Sequence, residues 1–139
     1  MTNKLLKSLW RVYDDIYIDS PYKNIKFVSF LIYKGKIVSF GVNSNKTSPL
    51  QNFYRKRTEL AAIPNFIDKE HSEINLLRRN YFGDFDIKKV EIVIISKKQD
   101  GKCRLARPCC TCMTALKDYG IKKIWYTTNE NTIKKEIIG

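Results

Sequence analysis

The chain has 139 residues, 43% of them hydrophobic, and a formal net charge of +12 at pH 7. That length suits one domain, residues 1–139, around a single core, and the apolar share argues against a disordered chain. No run approaches the roughly 20 apolar residues of a membrane helix, and Lys4 and Lys7 break the N-terminal stretch where a signal peptide would be apolar.

A cytoplasmic setting follows as the expectation, with the four cysteines reduced and available to a metal. The charge itself has two readings. A basic surface attracts phosphates, and so nucleotides or nucleic acid. Abundant Lys, Ile and Asn together would also arise from AT-rich coding, with no selection for binding.

Leu5, Leu9, Val12 and Ile16 recur at helical spacing, predicting an amphipathic helix from Asn3 to Ile18, ended by Ser20-Pro21. Ile25 to Tyr33 reads as a strand buried on both faces. Lys34-Gly35-Lys36 is a tight turn, and Ile37 to Val42 returns as a second strand. Asn43 to Lys69 is the least regular stretch, with Pro49, Pro64 and the run Arg55-Lys56-Arg57. A connection this long is often functional. It could cover a pocket mouth, with Asn43 and Lys46 inside and the basic run on phosphate. It could equally be a solvated loop. Phe53, Tyr54 and Phe66 would either stack on a base or anchor the loop to the core.

A second helix is expected from Asp68 to about Tyr81, with His71 and Glu73 in its first turns and Ile74, Leu76 and Leu77 facing inward. Arg78 and Arg79 sit near its end, where positive charge suits the helix dipole. Val90 to Ser96 is a buried strand, followed by a polar loop turning at Asp100-Gly101. A third helix runs from Pro108 to Asp118, capped by Gly120, and leads to a strand at Ile121 to Thr127. That strand–helix–strand order makes the two strands parallel. After the turn Asn129-Glu130-Asn131, Thr132 to Ile138 returns as an antiparallel edge strand protected by Lys134 and Lys135.

The chemistry concentrates in two places: His71-Ser72-Glu73 and Arg107-Pro108-Cys109-Cys110-Thr111-Cys112. A catalytic zinc takes three protein ligands and keeps a fourth position for water. His71, Cys109 and Cys112 can supply the three. The two cysteines, three apart at a helix start, share one side of the first turn, where the dipole favours thiolates. Zinc-bound water reaches a pKa of roughly 7. A carboxyl beside it, Glu73, could then carry protons without binding the metal. A structural zinc would instead need a fourth protein ligand, from Cys103 or Cys110, and would leave the His-x-Glu without a purpose.

With these motifs the chain, over roughly Phe27 to Tyr126, resembles the cytidine deaminase superfamily, especially the cytidine and deoxycytidylate deaminase-like proteins common in phages. Gly41-Val42-Asn43 followed by Lys46-Thr47 adds to the resemblance. It implies a three-layer α/β/α fold, a mixed sheet of four or five strands with helices on both faces. It also implies one Zn2+ per chain and hydrolysis of a cytosine-type base to uracil and ammonia. By the same resemblance Asn43 is expected on the substrate sugar, with Lys46, Ser72 and Arg107 also in the substrate site. Ser72 departs from the Ala or Val usual between the His and the Glu, and Arg107 leaves the substrate class open. So does the short C-terminal tail, which lacks the crossover helix of the polynucleotide and deoxycytidylate branches.

A nucleoside, a nucleotide and an unpaired base in single-stranded nucleic acid all remain candidate substrates, and self-association fits the family's habits. Two rivals stand beside this reading: adenine deamination, as in tRNA-editing relatives, and a zinc-stabilised nucleic-acid-binding module without chemistry.

Overall fold

The computed structural model describes residues 1–19, 26–58 and 69–139. Its centre is a five-stranded mixed sheet in the order β2-β1-β3-β4-β5. The strands are β1 (Phe27–Tyr33), β2 (Lys36–Val42), β3 (Val90–Ser96), β4 (Lys123–Thr127) and β5 (Ile133–Ile137). β1 pairs antiparallel with both β2 and β3, β3 and β4 are parallel, and β5 returns antiparallel on β4. The last two relationships are those expected from the helix between β3 and β4 and from the short tail. Lys34 and Gly35, both at positive φ (52° and 76°), make the tight turn between β1 and β2.

Side-chain alternation along the strands divides the core between the two faces. Val28, Phe30 and Ile32 of β1, with Val93 and Ile95 of β3, pack under Leu9 and Tyr13 of α1 (Asn3–Asp19). Leu31 of β1 and Ile92 and Ile94 of β3 face the opposite way. They pack on α2 (Pro49–Arg55), α3 (Ser72–Arg79) and α4 (Cys110–Asp118) through Tyr54, Ile74, Leu77 and Leu116. Among the described residues one helix thus covers one face and three cover the other, the expected three-layer α/β/α arrangement. None of the described helices is long and apolar enough to cross a membrane.

Several expected boundaries shift. The stretch from Asn43 is not wholly irregular, because it contains α2. Ser48 caps that helix by accepting from the Gln51 N–H at 3.2 Å, and Pro49 occupies its first turn. Tyr54 anchors α2 to α4 by donating to Asp118 Oδ2 at 2.6 Å. Phe53 is exposed, with the Arg57 guanidinium 3.9 Å above its ring. Phe66 and Pro64 lie outside the described residues, as do Asp68 and Ser20-Pro21. α3 begins at Ser72, with His71 as its N-cap, and ends at Arg79. α4 begins at Cys110 with Cys109 as its cap, so Pro108 precedes the helix. Gly120 follows α4 at φ 87°, as a C-terminal glycine should.

Gly41 of β2 lets the sheet and α3 touch through backbone. A Cβ there would stand 2.5 Å from the Leu76 nitrogen and 2.6 Å from the Ser72 carbonyl oxygen. Beside it the Val42 N–H donates to Asn75 Oδ1 at 3.1 Å. These contacts fix α3 against the sheet, and α3 starts one residue after His71.

Candidate active site

His71 and Cys109 hold equivalent places, each the N-cap of a helix running along the same sheet face. Cys112 follows in the first turn of α4. The three side chains converge, with all ligand atoms within 4.8 Å of one another. His71 Nδ1 lies 3.3 Å from Cys112 Sγ and 3.5 Å from Cys109 Sγ. Zn–S bonds near 2.3 Å and Zn–N bonds near 2.0 Å in a tetrahedron put N and S about 3.5 Å apart, so the donor set fits zinc in both type and spacing. Among the described residues this is the one cluster that could hold a metal, and no fourth side chain joins it. Cys110 is exposed on α4, and Cys103 is buried elsewhere, beside Trp10 and Trp125.

The two sulfurs divide one proton between them. The Cys112 thiol, and behind it His71, draws Cys109 down to about 4 against the pull of burial. Burial first, then Cys109 and Glu73, push Cys112 well up. A divalent cation between them would favour both thiolates and remove that asymmetry.

A cavity of about 340 Å³ opens beside the cluster, lined by Phe27, Asn43, His71, Ser72, Glu73, Leu105, Ala106, Arg107 and Cys109. Glu73 is buried in its wall. Its Oε1 accepts from the Ser72 hydroxyl at 2.7 Å and, more weakly, from the Ser29 hydroxyl at 3.4 Å. Ser29 and Ser72 are themselves 2.7 Å apart and fully buried. Ser72 therefore steadies Glu73 from beneath as well as lining the cavity.

Asn43 lines the cavity, and its Oδ1 accepts from the N–H groups of Lys26 and Phe27 at 3.1 and 3.0 Å, holding the start of β1. Lys46 is exposed in a neighbouring groove with Glu70 and Arg78 and does not line the cavity. Arg107 stands at the cavity edge in a two-point pair with Glu136 of β5, both bonds 3.0 Å. The Tyr126 hydroxyl donates to the same carboxylate at 2.8 Å. Arg55 and Arg57 line neither the cavity nor the metal cluster.

Three contributors escape a reading of the sequence. Ser29 has one faint signal, as the hydroxyl interrupting Phe27-Val28-Ser29-Phe30-Leu31-Ile32-Tyr33. Gln51, which accepts from the His71 N–H at 3.1 Å, sits in the unexpected α2. Glu136 carries no local signal. The asparagines of the last turn also do more than turn. Asn129 and Asn131 accept from the N–H groups of Leu105 and Cys103, at 3.1 and 3.0 Å, and so hold the segment forming the cavity's far wall.

No protein-family model matches the chain, and no curated protein matches it in sequence. Solved structures do match in fold. The dCMP deaminase of cyanophage S-TIM5, in complex with dCMP and dUMP, aligns with a TM-score of 0.54 at 19% identity, covering 92% of this chain and 84% of that one. Its apo form gives 0.52 at 17%, covering 92% and 86%. A cytidine deaminase from Burkholderia pseudomallei gives 0.57 at 14%, covering 99% and 93%. The chain has the fold of the cytidine deaminase superfamily.

Proposed function

We propose that this protein is a zinc-dependent deaminase that hydrolyses a cytosine-type base to uracil and ammonia. The observation that carries the reading is the meeting of His71, Cys109 and Cys112 at the wall of a cavity that also holds a buried carboxylate, Glu73. A structural metal would need a fourth ligand and no such carboxylate. The fold neighbours named for cytidine and dCMP deamination support the same conclusion.

The roles follow from position. His71, Cys109 and Cys112 would hold the ion, which when bound supplies Lewis-acid activation of water at neutral pH. Glu73 would take a proton from the attacking water as the water oxygen bonds to the amino-bearing ring carbon, and would pass it to the ring nitrogen. Glu73 then takes the remaining proton from the hydroxyl added to the ring carbon and delivers it to the amino group, so that the C–N bond breaks, ammonia leaves and the oxygen becomes the carbonyl of uracil. Ser72 and Ser29 keep the Glu73 carboxylate in one orientation. Asn43, Phe27 and Arg107 would surround the rest of the substrate. Lys46, one groove away, would touch only a part of the substrate extending beyond the cavity. A volume of about 340 Å³ lies within the range of ligand sites, about 300 to 1,000 Å³, and has room for a single nucleobase. Two thiolates among three ligands suit a reducing cytosol.

The test is Glu73→Ala. Zinc content by elemental analysis should match wild type, while ammonia release from cytidine, dCMP and a cytosine-containing oligonucleotide should disappear. Turnover that survives the change would rule out the proton-transfer role. No product from zinc-loaded wild type on any of the three would leave a non-catalytic zinc protein as the better account.

A further inference from the structure

A second depression, about 770 Å³, begins where the zinc cavity ends. Two single peptide steps, each about 3.8 Å between Cα atoms, join the two. Lys26 lines the groove and Phe27 the cavity; Arg104 lines the groove and Leu105 the cavity. The Lys26 N–H also donates to Asn43 in the cavity wall.

The groove is basic and has a firm floor. Lys26, Lys97, Lys98 and Arg104 line it, and Asp14 is the one carboxylate among its described lining residues. Asp14 is already paired with Lys97 at 3.2 Å. Arg104 has its Nε buried with no hydrogen-bond partner. Tyr13 makes the floor by tying three elements together. It donates to the Lys26 carbonyl at 3.0 Å, and its oxygen accepts from the Lys97 N–H at 3.0 Å. Tyr17 stacks on Tyr13 at 6.5 Å and 11° and remains half exposed, an aromatic face open to a ligand.

Cations flanking an exposed ring, beside a cavity sized for one base, match a nucleotide chain with its phosphate at the groove mouth. We infer that this groove binds the phosphate ester on the sugar that carries the base being deaminated, so that the substrate is a phosphorylated nucleotide and not a free nucleoside. The inference rests on the cavity being the base site. The phosphate could belong to a free nucleotide or to a single strand, and the groove's size and Tyr17 favour the strand.

Binding is measured on zinc-loaded Glu73→Gln protein, where turnover plays no part, so the result does not depend on whether the wild type deaminates. The probe is a fluorescein-labelled single-stranded oligodeoxynucleotide with one cytosine, followed by anisotropy across a salt series, with dCMP as competitor. Lys26→Glu with Lys98→Glu should weaken oligonucleotide binding about tenfold or more and reduce the salt slope by about 1.4, the share of two phosphate contacts. Both side chains are exposed, so the fold should tolerate the change. Lys88→Glu with Lys89→Glu, the same charge change at the other end of β3, should leave both quantities near their starting values. Tyr17→Ala, which alters no charge, should weaken oligonucleotide binding about fivefold. If the Lys26/Lys98 pair weakens dCMP equally, the phosphate is the free nucleotide's own; if it weakens only the oligonucleotide, the phosphate belongs to a strand. Equal losses from the two lysine pairs, or no loss of either ligand from Lys26/Lys98, would overturn the inference.

Discussion

The hydroxyls of Ser29 and Ser72 meet at 2.7 Å beneath the Glu73 carboxylate, joining the middle of β1 to the first turn of α3. Strand and helix thereby share responsibility for one oxygen, Glu73 Oε1. Ser72→Ala removes the shorter of its two bonds and leaves the Ser29 hydroxyl with a poor partner. The expected cost is about 1 kcal/mol in stability, and a fall in kcat of about tenfold or less with KM unchanged. Ser29→Ala with Ser72→Ala should destabilise by less than the sum of the single changes, because neither hydroxyl is then stranded. Urea unfolding and steady-state kinetics on the four proteins check this.

Each of His71→Ala, Cys109→Ser and Cys112→Ser should abolish stoichiometric zinc, whereas Cys103→Ser and Cys110→Ser should retain it. Because the ion would bind only the folded chain, zinc at a hundredfold excess over its Kd adds about 2.7 kcal/mol, or roughly 10 °C in Tm. Thermal melts with and without chelator should show that shift in wild type and lose it in the first three variants.

Gly41→Ala places a methyl group 2.5 Å from the Leu76 nitrogen, so α3 must move away from β2. The expected loss is about 3 kcal/mol. Since α3 carries Glu73 and follows directly from His71, zinc affinity and kcat should fall together. Gly101→Ala makes a control, since a Cβ there meets nothing within 4 Å, although its φ of 86° carries a backbone strain of its own. That variant should lose some stability and keep its zinc affinity.

The buried Glu70 carboxylate gives a pH signature. Burial pulls its pKa upward, but the Arg78, Asn75 and Ser48 hydrogen bonds outweigh it and hold the pKa below the ordinary value of 4.5. Arg78 is bound at 2.8 Å and Asn75 at 2.7 Å. A depressed carboxyl stabilises the fold above its unfolded pKa and loses that contribution as pH falls through its folded one. Wild type should therefore weaken from about pH 4.5 downward. Arg78→Ala should cost about 2 kcal/mol at pH 7, discounted because Arg78 is half exposed. The gap between the two proteins should narrow as the pH falls below 4.5 and through the depressed folded value, as measured by chemical denaturation across pH.

What is legible in the sequence has local or rare signals. Strands β1 and β3 announce themselves by near-continuous β-branched and aromatic residues, and the candidate metal ligands by residue types seldom found at such spacing without a purpose. A seven-residue helix such as α2 is too short for periodicity to register, and only the Ser48-Pro49 cap marks it. The starts of α3 and α4 are hard to place because a histidine and a cysteine, His71 and Cys109, occupy the N-caps, where hydroxyl or carboxamide side chains normally signal the boundary. Glu136 is invisible because its partners come from distant parts of the chain, Tyr126 from the neighbouring strand β4 and Arg107 from the connection ahead of α4. Lys46 stands close to Asn43 in sequence, yet the chain turns between them and sends the two into different depressions.

The strand register also bears on the order in which the protein assembles. β3, α4, β4 and β5 follow one another between residues 90 and 137, so Cys109 and Cys112 belong to a segment that can organise early. Pairing Phe27 with Ser96 must close a far longer loop, and only then do Ser29, His71 and Glu73 arrive. Refolding followed by stopped flow should therefore show the sulfurs sheltered from thiol reagents before the imidazole is in place. Mutations that slow docking of the N-terminal half would delay metal uptake without altering the sulfur pair.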